Sequence, residues 1–221
     1  MSNTARGVSL IELLVAVGLL ALIMTLLVQA LLPGLSLWKH ARAVADIEQQ
    51  CMVAEERITR SVLASIASSI QSASDADRSA ISMLGHGGSE AVAGNNTTTG
   101  EPEWKQVEVF YFRTADGVLY QSFWNGSPGP ALPYDFADAP FALAADDLLG
   151  IVGATGQQER RLADRVTELS LTPAVGLGSP TGGGGEDEAF VLRLGLRVDV
   201  PRGERAIVRE VRVVPRLRER R

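Results

Sequence analysis

From Val8 to Leu32 the only polar side chains are Ser9, Glu12, Thr25 and Gln29. A helix needs about 20 mostly apolar residues to cross the hydrocarbon core of a bilayer, so this run is long enough to span one. In lipid the backbone must satisfy its own hydrogen bonds, which makes a helix the expected form of a lone segment of this kind. A short polar leader, Met1 to Gly7, precedes it and carries one cation, Arg6. A secretory signal would have a shorter apolar core, roughly 7–15 residues, ending at a small-residue cleavage site. Here the stretch Ala16 to Ala30 has no clean A-x-A stop, and an acid sits inside the run. A plain amino-terminal anchor explains the length but not Glu12. A carboxylate within a membrane-length helix costs free energy, so its default reading is functional.

The string Arg6-Gly7-Val8-Ser9-Leu10-Ile11-Glu12 resembles the class III leader of type IV pilins and type II secretion pseudopilins. In that family a prepilin peptidase cuts after the glycine and methylates the new terminal amine. The resemblance implies a cut between Gly7 and Val8, N-methylation of Val8, and an assembly role for Glu12. The family's first mature residue is most often Phe, and Val8 departs from that pattern. The glutamate's role has a physical basis. The cut leaves a cationic amine at the membrane end of the helix. A carboxylate in the first turns can pair with that amine, its own or a neighbour's, and with the helix dipole. Such pairing offsets part of an insertion cost of roughly 2.5–3.5 kcal/mol for a charge at mid-helix, less near the end. Gly18 lies in the same segment; as a helix-contact signal it is weak, because Gly is common in membrane helices.

Pro33-Gly34 is expected to break or kink the helix, dividing a transmembrane helix over 8–34 from an amphipathic stem helix over 35–72. In the stem, Leu35, Leu37, Trp38, Ala41, Val44, Ala45, Ile47, Met52, Ile58, Val62, Leu63, Ile66 and Ile70 recur at spacings of three and four. That is a helix with one face to bury. Ser72 to Gly100 reads as loop. Val107–Thr114 and Val118–Trp124 flank Ala115-Asp116-Gly117, a hairpin with Asp-Gly turn chemistry. Phe110, Phe112 and Trp124 in it are open to either a core or a surface role. Arg165–Pro173, Ala189–Val200 and Ala206–Pro215 are expected strands, with Pro201-Arg202-Gly203 as the turn between the last two. In the middle one, Leu192, Leu194, Leu196, Val198 and Val200 share one face, with Arg193, Arg197 and Asp199 on the other, the pattern of a half-buried antiparallel strand. Loops are expected at 85–103, 125–140 and 176–188.

The expected fold class is therefore α+β and pilin-like: a long N-terminal transmembrane and stem helix packed on an antiparallel β-sheet head over 73–221, after a leader at 1–7. This layout resembles the minor pseudopilins. Leu162 to Leu169 (LADRVTEL) before a long terminal hairpin is similar to the J-type members and the related minor pilins.

With 21 basic and 26 acidic residues the net charge is -5, which does not favour nucleic acid as a partner. Loss of the leader would remove Arg6 and deepen that charge by one. The basic tail Arg216 to Arg221 is read as a solvated end rather than a phosphate or lipid contact. The single cysteine, Cys51, has no internal disulfide partner and is read as a packed small hydrophobe. His40 and His86 have no spaced partner for a zinc site. No G-x-S-x-G elbow, P-loop or dinucleotide fingerprint occurs, and the glycines Gly182 to Gly185 lack a strand-to-helix context. The acid clusters Asp135/Asp138, Asp146/Asp147 and Glu186-Asp187-Glu188 match no calcium-loop spacing and are read as solvated surface. No catalytic residue, cofactor or metal is expected.

The resemblance implies a minor pseudopilin at or near the tip of a periplasmic pseudopilus, anchored once in the bacterial inner membrane and priming assembly for type II protein secretion. Its implied partners are other minor and major pseudopilins, the prepilin peptidase, inner-membrane lipid and a secreted protein. A minor type IV pilin for surface fibres, adhesion or DNA uptake is the alternative within this class. A membrane-anchored binding domain or enzyme is the alternative outside it.

Overall fold

A computed structural model of the chain describes residues 9–85, 106–124, 143–152, 159–174, 189–200 and 203–215. The layout is α+β: one long N-terminal apolar helix and two antiparallel sheets. Contacts divide the chain into two compact units, Met1–Ala45 and Asp46–Arg221.

The helix α1 runs Leu10–Leu63. In the first unit it passes through Pro33 without interruption, so of the break or kink expected at Pro33-Gly34 the break does not occur. Pro33 costs the ladder one backbone bond, since it has no N–H to donate to the Gln29 carbonyl. The Ser36 hydroxyl donates to the Pro33 carbonyl at 2.8 Å and the Thr25 hydroxyl to that of Ala21 at 2.8 Å. Both hydroxyls are thereby satisfied within the apolar run. Large apolar side chains from Leu10 to Trp38 are 50% to 79% exposed, so the helix is long and apolar enough to cross a membrane and its apolar surface is left for other material to cover.

In the second unit α1 becomes a core element. Ile47, Cys51, Ala54, Ile58 and Val62 are buried, the last four completely. Their spacing of four, three, four and four lays one stripe along the helix. Sequence periodicity points to Met52 on this seam, but Met52 is 50% exposed; the small side chains of Cys51 and Ala54 occupy it. The helix ends at Leu63 rather than at 72. Ser65 turns inward and its hydroxyl donates to the Val62 carbonyl at 2.9 Å, a 3-10 turn follows at Ala67–Ser69, and the chain enters a strand.

That strand, β1 (Gln71–Ser74), pairs with β2 (Arg78–Gly85) where loop was expected. Asp75 builds the turn between them: its Oδ1 accepts from the Asp77 and Arg78 amides at 2.8 and 2.7 Å, and Arg78 Nη2 lies 3.0 Å from Oδ2. The backbone bond from Asp77 leads the effects that hold the Asp75 carboxyl below its usual range. The expected hairpin is present as β3 (Gln106–Arg113) and β4 (Val118–Trp124), with Gly117 in the left-handed region at φ 64°. A further strand, β5 (Glu159–Asp164), completes a five-stranded sheet in the order β1-β2-β3-β4-β5.

The head contains a second sheet, not a continuation of the first: β6 (Val166–Pro173), β7 (Phe190–Val200) and β8 (Gly203–Val213), in that order. Leu192, Leu194, Leu196 and Val198 are buried while Arg193 and Arg197 are exposed, as the alternation requires. Arg165 joins the sheets. It adopts φ 59°, between Asp164 paired to Val118 in one sheet and Val166 paired to Leu196 in the other.

Strand β6 lies against β1, β2 and β3, and the helix α2 (Ala145–Val152) lies against β1 and β2. One face of the large sheet, with Ala80, Leu84, Val107, Val109, Tyr111 and Trp124, shares a core with Leu148, Ile151 and Val152 of α2. Phe110, Phe112 and Trp124 are all core residues.

Candidate functional site

The helix start carries the sequence-derived site. Gly7 and Val8, the expected cleavage and methylation positions, lie outside the described residues, as do His86, the acid clusters at Asp135/Asp138 and Glu186 to Glu188, and the tail from Arg216. Glu12 is in place in the first turn of α1 and exposed. Its Oε2 accepts from the Ser9 backbone N–H at 3.0 Å, and the Ser9 Oγ accepts from the Glu12 N–H at 3.2 Å. This is a reciprocal capping box, which satisfies donors that the first helical turn leaves orphaned. Ser9-x-x-Glu12 carries that signal in the sequence, and a reading centred on the charge alone overlooks it. Glu12 therefore has a local structural task beside any intermolecular one. Gly18 faces open space, with nothing within 4 Å of where a Cβ would stand.

Further along α1, Arg42 stacks its guanidinium 5.6 Å from the centre of the Trp38 ring. This pair closes the exposed apolar stretch with an aromatic and a cation, the residue types favoured at membrane–water interfaces. His40 is half-buried beside it.

Among the described residues the head holds one buried charged group that the sequence reading did not single out. Glu108 on β3 is 6% exposed. The Gln121 amide donates to its Oε1, and Ser61 of α1 also hydrogen-bonds it. Burial pushes its carboxyl up from the ordinary carboxylate range, opposed by those two bonds and by Arg57. The partner amide's own oxygen, Gln121 Oε1, is buried without a hydrogen bond among the described residues. The group thus sits between stem and sheet. On the other side of the sheet the Tyr111 hydroxyl donates to Glu159, and Arg113 lies over the Tyr120 ring at 4.7 Å. Burial leads the effects that raise the Tyr111 phenol, with the Glu159 contact adding to it.

Burial likewise pushes the Cys51 thiol up, against the influence of Arg209. That keeps it protonated and packed, in keeping with its reading as a small hydrophobe. Asp146 and Asp147 lie in the first turn of α2, where acids favour the helix dipole. Among the described residues no three His, Cys, Asp or Glu side chains gather as metal ligands.

No protein-family model, curated protein or solved structure matches this chain.

Proposed function

We propose that the chain is a minor pseudopilin, a subunit at or near the tip of a periplasmic pseudopilus that primes assembly for type II secretion. The observation that carries this reading is the sequence run from Arg6 to Glu12, whose last three residues open α1. The string runs into the helix from Leu10, and the helix then exposes apolar surface as far as Trp38 before its seam is buried from Ile47 onward. One helix thus serves as anchor and as the spine of an α+β head. On this reading the peptidase cuts between Gly7 and Val8, methylates Val8, and leaves a cationic amine one residue before the capping box. Glu12 then docks the subunit onto its neighbour through that neighbour's amine, in the inner membrane and with other minor and major pseudopilins.

Co-expression with a prepilin peptidase, followed by intact mass and N-terminal sequencing, tests the reading. A mature chain starting at methylated Val8 is expected, and an uncut terminus in the presence of active peptidase refutes it. The same processing is expected of a minor type IV pilin. The two separate on whether the chain co-purifies with secretion pseudopilins or with pilus subunits.

A further inference from the structure

We infer that the free edge of β8 is a self-recognition surface on which a second copy of this chain pairs antiparallel, joining two three-stranded sheets into one of six strands. The inference is independent of the proposed function.

An edge strand presents unpaired N–H and C=O groups, and proteins blunt such edges by shortening them, bulging them, placing Pro in them or lining them with charges. Three of the four edges in the described residues are handled in these ways. β1 is four residues long. β5 meets β4 with a register shift at Leu119/Tyr120, and its Asp164 amide is occupied by the Gln50 side chain at 2.9 Å. β6 carries a shift at Val166/Glu168 and ends in Pro173. β8 is neither short, bulged nor interrupted by Pro, and its edge is guarded by charge alone: Glu204, Arg205, Arg209, Glu210 and Arg212. It is eleven residues long, pairs with β7 in unbroken register from Gly203 to Val213, and contains no proline. No strand covers its other side among the described residues.

The side chains say which strand fits. Val208, 47% exposed, is the one exposed large apolar side chain among the strand residues whose side chains are described. It is also the midpoint of β8. When the strand is laid antiparallel on a copy of itself about Val208, all eleven residues find partners. Val208 meets Val208, Ala206 meets Glu210, and Glu204 meets the second copy's Arg212 at both ends. These residues share the outward face of the sheet, where Glu204, Glu210 and Arg212 are exposed. Opposite charges facing each other across strands are favourable and like charges unfavourable. A shift to a register centred on Ile207 sets Glu204 against Glu210 and Arg205 against Arg209. A shift to Arg209 sets that arginine against itself. The charges that repel most incoming strands therefore admit this one. In the isolated chain Glu204 holds Arg197 at 3.1 Å, with both side chains more than half exposed. A pair of that kind is weak and is readily exchanged.

The full-length chain reconstituted in lipid vesicles at several copies per vesicle provides the test, with single cysteines added. Cys51 is completely buried and serves as a silent background. Val208→Cys is expected to give a disulfide-linked dimer under mild oxidation. Ala206→Cys is expected to stay monomeric, because four residues of offset separate the two copies of that position by about 13 Å at about 3.3 Å per residue, beyond disulfide reach. Adding Glu204→Arg or Arg212→Glu to the Val208→Cys chain places like charges at both ends, and each is expected to lose at least tenfold in cross-linking yield alone. Mixed together, the two variants restore opposite charges at both ends and recover the dimer. Equal cross-linking at positions 206 and 208, or no recovery on mixing, overturns the proposal. Capture of a different polypeptide at Val208→Cys in native membranes, without homodimer, overturns the choice of a second copy.

Discussion

Substituting Glu12→Gln separates the two tasks that meet at the start of α1. Glutamine keeps the length of the side chain and an oxygen that accepts from the Ser9 N–H, now 3.0 Å from Glu12 Oε2. The capping box tolerates Gln in that position. The substitution thus removes the charge and leaves the cap. If Glu12 docks on a neighbour's amine, the loss is large: two unit charges about 4 Å apart at an effective dielectric near 20 interact by ~4 kcal/mol, close to a thousandfold in equilibrium constant at 1.4 kcal/mol per decade. The cap is worth less: replacing the N-cap side chain itself, here Ser9, by Ala costs about 0.5–2 kcal/mol. Glu12→Gln and Glu12→Ala are both expected to abolish recovery with sibling subunits in competitive co-purification from membranes. They are expected to differ only in amide exchange at Ser9, which speeds up in the Ala variant. Recovery of the Glu12→Gln variant at the wild-type level would mean that the cap is the whole of the residue's task, and would remove the docking charge from the mechanism.

Glu108→Gln in the head should flatten the dependence of stability on pH. Because the folded carboxyl is raised by burial, the folded state holds its proton at pH values where the unfolded chain has released it. The contribution of Glu108 to stability is therefore fullest below the ordinary glutamate value and is lost as pH rises through the raised one. Thermal melts from pH 4 to 8 should show that decline in the wild type and a smaller one in the variant; parallel curves would contradict it. Gly117→Ala should cost about 1–2 kcal/mol from the left-handed backbone alone, since the nearest atom to an added Cβ is 3.8 Å away; an unchanged denaturation midpoint would refute this. Ile58→Ala on the buried seam should cost about 2–5 kcal/mol in denaturant titration. Met52→Ala, half exposed six residues earlier on α1, should cost well under 1 kcal/mol, as exposed positions generally do; equal losses would displace the seam.

Much of the architecture was legible where a period was long or a turn was chemically marked. The apolar run, the β3–β4 hairpin around Asp116-Gly117 and the alternation in β7 all carried through. The β1–β2 hairpin did not, because its strands are rich in Ser and Ala and only its Asp75-Ala76-Asp77 turn is distinctive. The division into two sheets was hidden because nothing in the string Asp164-Arg165-Val166 announces a left-handed arginine. Met52 was placed on the wrong face because hydrophobicity outweighs size in a periodicity count, whereas a close helix contact selects small residues such as Cys51 and Ala54. Glu12 was legible as a charge out of place; its bond to Ser9 was overlooked because the charge drew the reading away from the spacing. Glu108 was invisible in principle, since a glutamate in an otherwise apolar strand looks solvent-facing until its neighbours are known.

Arg165 also bears on the order in which the head can form. The Val166 amide donates to the Gly117 carbonyl at 2.8 Å, and the Arg197 amide donates to the Arg165 carbonyl at 2.8 Å. The small sheet thus takes its alignment from the tight turn of the hairpin, about fifty residues earlier in the chain. β6, β7 and β8 are consecutive antiparallel strands and can zip locally, but the placement of the small sheet on the hairpin turn needs residue 117 to be in position. Distant pairings of this kind slow folding more than they weaken the native state. Gly117→Ala should therefore lower the folding rate as well as the equilibrium stability, giving a φ-value well above zero, while substitutions on the exposed face of β8 should act mainly on unfolding.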